Sequence, residues 1–214
     1  MRNMKAVYFT FFLTGLTSQI CLSQPAGFKP IDNPTEFKSK FAAEGKKISA
    51  IRCRFVQEKN LSLLEEKIIS EGNFWYKRDK KVRLEYQKPF RYLMMLSGEQ
   101  MVIRDEQKES RLSTHSSKLF QQINRIIMDC VSGSILENKD FTSRVFQNDK
   151  MFLLLMTPTS RTLKDFFQAI HVSVDKKNWT VVGITLEEPG GDTTAIRFSH
   201  QVFNEKLDDS LFVP

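Results

Sequence analysis

The sequence predicts a mainly antiparallel β protein with helices, an α+β chain built on one curved sheet with a wet face and a dry face. Three observations predict it. Short strand-like runs succeed one another through tight turns, with no helix between them, which makes a meander rather than a parallel sheet. Two of the early runs alternate cleanly: Ile51, Cys53 and Phe55 against Arg52 and Arg54, then Val82, Leu84 and Tyr86 against Arg83, Glu85 and Gln87. Two further stretches carry helical spacing, and a sheet with one dry face needs such a cover.

In chain order, a helix is expected from Asn33-Pro34-Thr35-Glu36. Asn33 suits the cap, Pro34 the first helical position, and Glu36 can reach back to the cap. Phe37 and Phe41 lie one turn apart on one face, and Gly45 is a natural stop. After the strand around Ile51, a second runs from Glu66 to Lys77 and a third over Val82 to Tyr86, ended by Pro89. Tyr92 to Leu96 and Met101 to Arg104 form a hairpin around Ser97-Gly98-Glu99-Gln100. From Ser116 to Val131 the apolar residues return at helical spacing, and Gly133 ends that helix. Strands are then expected over Thr142–Phe146, Met151–Met156, Ile170–Val174, Trp179–Leu186 and Thr194–Phe203. Ser160 to Asp165 is a loop or a short helix, and Pro189-Gly190-Gly191-Asp192 is a turn.

Residues 1–23 read as a cleaved signal peptide: Arg2 and Lys5, an apolar run from Ala6 to Leu16, then small and polar residues to Ser23. Cys21 is not read as a lipidation site, because Ile20 precedes it where Gly or Ala is wanted. Residues 24–214 show no repeat, linker or low-complexity tract and read as one domain. The formal charge of +7 falls to +5 once Arg2 and Lys5 are removed. The basic residues are scattered, which suits a solvated surface or transient membrane-surface contact rather than nucleic acid. Cys53 and Cys130 remain, one in a strand pattern and one in a helix pattern, and read as two buried thiols.

No catalytic or metal motif stands out. The histidines at 115, 171 and 200 are isolated, and zinc spacing, nucleophile elbow and phosphate loop are all missing from the sequence. The reading is therefore not an enzyme, with no metal and no cofactor. What does stand out is apolar. The 18 Phe outnumber Trp and Tyr together, at 2 and 4, so apolar area arrives without polar handles. A curved dry face under a helix can be a filled core or a lipid-sized cavity, and the pattern leaves both open. On the alternation, Ile51, Cys53, Phe55, Val82, Leu84, Tyr86, Tyr92 and Met94 are expected to face inward. Leu119, Ile123, Ile126 and Ile127 are expected on the covering face of the 116–131 helix.

These residues resemble a known family. Ser49-Ala50-Ile51-Arg52-Cys53-Arg54-Phe55-Val56-Gln57 is similar to the opening strand of LolA-type periplasmic lipoprotein carriers. Glu71-Gly72-Asn73-Phe74-Trp75-Tyr76-Lys77-Arg78 is similar to a second strand of theirs. Val82 to Tyr86, Pro89, Leu163-Lys164, Asp192-Thr193-Thr194, Phe198 and Leu211-Phe212 follow in order. The family usually has Pro after the Lys-Arg pair, where this chain has Asp79, and some members carry a longer tail than Phe212-Val213-Pro214.

The resemblance implies an unclosed, strongly curved β-barrel with a helical lid over a hydrophobic cavity. It implies a monomeric periplasmic carrier that takes acylated lipoproteins from an inner-membrane exporter to an outer-membrane acceptor. It also implies that Arg78 latches the lid by hydrogen-bonding its backbone. The stretch from Leu61 to Glu71 and the helix after Ser116 resemble LolA-like proteins associated with aryl-polyene or flexirubin lipid synthesis, for which the cargo would be another lipid or glycolipid. A lipid-sensing regulatory module on the same fold is the third reading.

Overall fold

The computed structural model describes residues 24–64, 66–98, 100–113 and 118–213, and for residues 112, 113 and 118–124 the backbone only. The expected signal peptide and Cys21 lie outside the described residues.

Twelve strands form one antiparallel sheet. They are β1 (Lys29–Pro30), β2 (Ala50–Leu61), β3 (Glu66–Lys77), β4 (Lys81–Lys88), β5 (Tyr92–Ser97) and β6 (Gln100–Arg104). The rest are β7 (Glu109–Ser113), β8 (Phe141–Gln147), β9 (Met151–Pro158), β10 (Ala169–Asp175), β11 (Val181–Glu187) and β12 (Thr193–Phe203). The spatial order is β1-β8-β9-β10-β11-β12-β2-β3-β4-β5-β6-β7. The last strand pairs with the second, so the two halves of the meander meet at β12–β2, while β1 and β7 remain separate edges. The sheet is a curved, unclosed barrel. Helix α1 (Pro34–Gly45) and helix α2 (Lys118–Ser132) interrupt the meander, and α3 (Arg161–Lys164) is a single short turn.

The helices form where the sequence places them. The Asn33 side chain accepts from the Glu36 amide at 3.0 Å and Pro34 opens α1. Two strands were not anticipated. The β1 strand is only two residues long, and β7 is mostly polar (Glu109-Ser110-Arg111-Leu112-Ser113), so neither carries the apolar alternation that marks a strand.

The β3–β4 hairpin explains the Asp79 departure. The turn is Arg78-Asp79-Lys80, closed by the Lys77–Lys81 pair, and Asp79 and Lys80 take the left-handed region with φ of 74° and 61°. Proline, locked near a φ of about −65°, could not occupy position 79.

The covering helices lie on the concave side. Phe37 and Phe41 of α1, with Ile126 and Cys130 of α2, pack on the β8–β10 half of the sheet. Ile127, Met128 and Val131 of α2 pack on the β2–β6 half, so α2 bridges both halves. The helices meet backbone to backbone. A Cβ on Gly45 would lie 2.3 Å from the Ser132 carbonyl, and one on Gly133 would lie 2.3 Å from the Phe41 oxygen. Gly133 also has a φ of +72°, so glycine is needed there twice over.

Candidate apolar cavity

Between α2 and the concave sheet lies an apolar cavity. Its walls come from β2 (Ile51, Cys53), β3 (Phe74), β4 (Leu84), β11 (Val181, Ile184), β12 (Ile196, Phe198, Gln201, Phe203) and α2 (Ile127, Cys130, Val131). Phe41, Ile48, Trp179 and Thr180 complete it. Among the described residues, Thr180 and Gln201 are its only polar side chains apart from the two thiols and the indole. The space it offers to the centre of a water-sized sphere is about 80 Å³. One water needs about 10–15 Å³ of such space, so the cavity admits a short length of chain and not a whole long one.

Of the eight residues expected to face a cavity, Ile51, Cys53 and Leu84 line it. Phe55 and Val82 are buried in the same apolar cluster, and Tyr86 and Met94 pack half-buried against it. Tyr92 joins them through its ring, 5.7 Å from that of Tyr86. The physical reason is Gly72. Phe55 lies over the bare glycine, so close that a Cβ there would be 2.7 Å from the ring. Tyr86 then packs edge-on against Phe55 at 4.9 Å. The Tyr86 hydroxyl donates to the Gln57 side chain at 2.9 Å, which satisfies its polar end. Burial, and secondarily the neighbouring Tyr92, pushes the Tyr86 hydroxyl up to about 12, so it stays a neutral donor. These rings fill the concave face beside the cavity, and Tyr86 and Tyr92 also line a polar surface pocket with Arg83, Arg91 and Arg104.

On the covering helix, Ile127 lines the cavity and Ile126 is buried against the β8–β10 half. The side chains of Leu119 and Ile123 lie outside the described residues. The C-terminal half of α2 is tied down. Arg125 meets Asp140 at 3.0 Å, Asn138 donates to Asp129 at 2.8 Å, and Ser134 donates to Asp129 at 3.2 Å. Desolvation pushes the Asp129 carboxyl above its usual range, against the pull of Asn138, Ser134 and Arg125.

Arg78 donates to the backbone oxygens of Lys46 and Ile48, at 2.6 and 2.9 Å. It does hold helix-flanking backbone, but at the end of α1, where the β3–β4 turn lies beside the start of β2 and its own amide donates to Ser49. The partner implied by the resemblance was the 116–131 helix. Because Ile48 lines the cavity, Arg78 braces one of its walls.

Cys53 and Cys130 are unpaired and buried. Burial pushes both thiols up to about 12, with Asp129 adding to the effect at Cys130. Such thiols are inert walls rather than nucleophiles.

The sequence reading missed the whole β11–β12 side. Ile196 and Phe198 were legible from alternation, but Gln201 and Phe203 were not. Between Ser199 and Val202 the β12 register against β2 shifts by one residue, and His200 takes a φ of +53°. This bulge leaves Val202 outside and aims Gln201 and Phe203 into the cavity.

Known proteins resemble this chain in sequence. A curated relative from Chromohalobacter salexigens, described as "Outer-membrane lipoprotein carrier protein", is 22% identical over 143 residues, covering 67% of this chain and 65% of that protein. The match thus spans just under two thirds of the relative's length. Among solved structures, a LolA superfamily protein from Nitrosomonas europaea aligns with a TM-score of 0.45 at 12% identity, over 83% of this chain and 97% of that one. The lipoprotein LppX of Mycobacterium tuberculosis aligns with a TM-score of 0.44 at 10% identity, over 82% and 99%. The sequence model of the family described as "Outer membrane lipoprotein carrier protein LolA" matches residues 46–214, every described strand of the sheet but β1. The chain therefore belongs to the LolA family of outer membrane lipoprotein carrier proteins.

Proposed function

We propose that this chain is a monomeric periplasmic carrier, exported through residues 1–23, that shields acyl chains of lipoproteins and ferries them from the inner to the outer membrane. The observation that carries this reading is the cavity. It is apolar on nearly every wall and roofed by a helix packed on both halves of the sheet. An acyl chain drawn into water loses about 0.8 kcal/mol per CH₂, so passage between membranes needs an apolar sleeve of this kind. The reading is carriage rather than catalysis, which membership of a family of carrier proteins supports.

At about 80 Å³ the cavity is the closed state, and loading requires it to widen. The rings of Phe55, Tyr86 and Tyr92 are packed edge to face, and the C-terminal half of α2 is tied to Asn138 and Asp140. Widening is therefore a swing of α2 about its tied end, which a membrane exporter and an acceptor would bias in opposite directions.

Titration with a fluorescent fatty acid, wild type against Cys53→Phe, tests the reading. The added ring fills the cavity without introducing charge. Uptake by the wild type and its loss in a variant that remains folded by circular dichroism is expected. No uptake by the wild type, or equal uptake by both, contradicts it.

A further inference from the structure

We propose that the cavity has a polar doorway at Trp179. The groove outside that doorway holds the anionic head of an amphiphile whose tail lies within. This rests on the carrier reading and adds the direction in which the cargo lies.

Trp179 is a wall of two spaces at once. One side of it lines the cavity. The other lines a surface groove framed by Asp32, Glu36, Lys40, Gln147 and Phe152, between the start of α1 and the β8–β9 turn. Polarity is graded towards this wall. Both polar side chains of the cavity stand beside it: Thr180 is the next residue, and Gln201 donates to the Val181 carbonyl at 2.8 Å. The opposite end is aromatic, with Phe55 edge-on to Tyr86 and Tyr86 to Tyr92. A tail entering at Trp179 would therefore leave its polar end among Thr180, Gln201 and the groove.

The groove offers cations to that end. The Lys40 amine lies 4.7 Å from the Trp179 ring centre, and the Lys176 amine lies 4.8 Å from that of Phe152 while donating to Gln147 at 2.8 Å. Of the two carboxylates on the rim, Glu36 already accepts from the Asn33 side chain, and Asp32 is the other. Two ammonium groups stacked on an aromatic wall suit a carboxylate or phosphate beside an apolar chain.

The backbone holds Trp179 in this place under strain. Its φ is +58°, a region that bulky side chains rarely enter. The turn enforces it: the Trp179 amide donates to the Asp175 carbonyl, the Asp175 amide donates to Thr180, and the Asp175 side chain accepts from the amides of 177 and 178. Strain of this kind collects at sites where a side chain must be aimed.

The test uses Trp75→Phe, which leaves Trp179 as the one tryptophan; Trp75 packs with Leu211 in a separate apolar cluster and does not line the cavity. The protein is titrated with stearic acid carrying a quenching nitroxide at carbon 5 or at carbon 16. The doorway predicts that the carbon-5 label, next to the carboxylate, quenches Trp179 more strongly. Equal quenching, or the reverse order, overturns the doorway and leaves carriage standing. Uptake of neither probe overturns carriage and the doorway together. A second variant, Lys40→Met, keeps the stem over the indole and removes the charge. Stearate should then bind about threefold more weakly, the size of an exposed ion pair, with methyl stearate unchanged. A matching loss for both ligands, or for neither, contradicts the head site.

Discussion

At one end of the concave face Phe55 fills the space over Gly72, and Tyr86 and Tyr92 are stacked edge to face beyond it. At the other, Phe74, Phe198 and Phe203 stand around a space. Both ends are made of apolar side chains on alternating strands, and both carry phenylalanine. What separates them is the backbone opposite. A bare glycine lets Phe55 lie flat against the sheet, whereas the bulge at His200 turns two side chains inward where straight β12 would have offered His200 and Val202. Whether a dry face becomes core or cavity is thus decided by a few backbone positions rather than by hydrophobicity.

The largest effect should come from breaking the filled end. Phe55→Ala removes a side chain that is 1% exposed and should cost about 3–5 kcal/mol in urea unfolding. Phe74→Ala, on a wall that already faces space, should cost about 3 kcal/mol, at the low end for such truncations because the cavity is already present. Equal losses would erase the distinction between the two ends. Next, Gly133→Ala adds a Cβ 2.3 Å from the Phe41 oxygen and strains a φ of +72°. It should cost about 2–3 kcal/mol and loosen the joint between the helices. A neutral result would show that α1 and α2 can separate freely.

Arg78→Leu touches only the rim of the hollow end. Its side chain is exposed, so the stability loss should stay below about 1 kcal/mol. Loading should persist while transfer to acceptor vesicles slows, because the wall at Ile48 is no longer braced. Unchanged transfer would leave Arg78 a local staple. The smallest effect concerns Asp129. Its pKa is raised in the fold, chiefly by burial, so its contribution is fully present below the unfolded value of about 3.9. That contribution is lost as pH rises through the folded value. Asp129→Asn should therefore gain on the wild type between about pH 3.5 and neutrality, by less than about 1 kcal/mol. A gap that does not change with pH would mean that Asn138, Ser134 and Arg125 fully offset the burial.

The order of the elements was legible because turns and caps are local. Asn33 caps α1, Pro89 follows β4, and Gly133 follows α2, each through chemistry confined to a few residues. The inward face of β2 and β4 was legible for the same reason, since alternation is a property of one strand. The filled end was not, because it depends on Phe55 meeting Gly72 on the neighbouring strand. Nor was the β12 wall, because a one-residue bulge exchanges the two faces and nothing in Ser199-His200-Gln201 announces it. Trp179 was read as the start of a strand, whereas its left-handed backbone makes it the close of the β10–β11 turn.

Native mass spectrometry of the protein purified from its own periplasm, with extraction and identification of whatever is bound, tests carriage most directly. The account predicts a stoichiometric acylated species in the wild type that is missing from Cys53→Phe. Wild-type protein that is uniformly free of lipid, or a lipid retained equally by the filled variant, would contradict it.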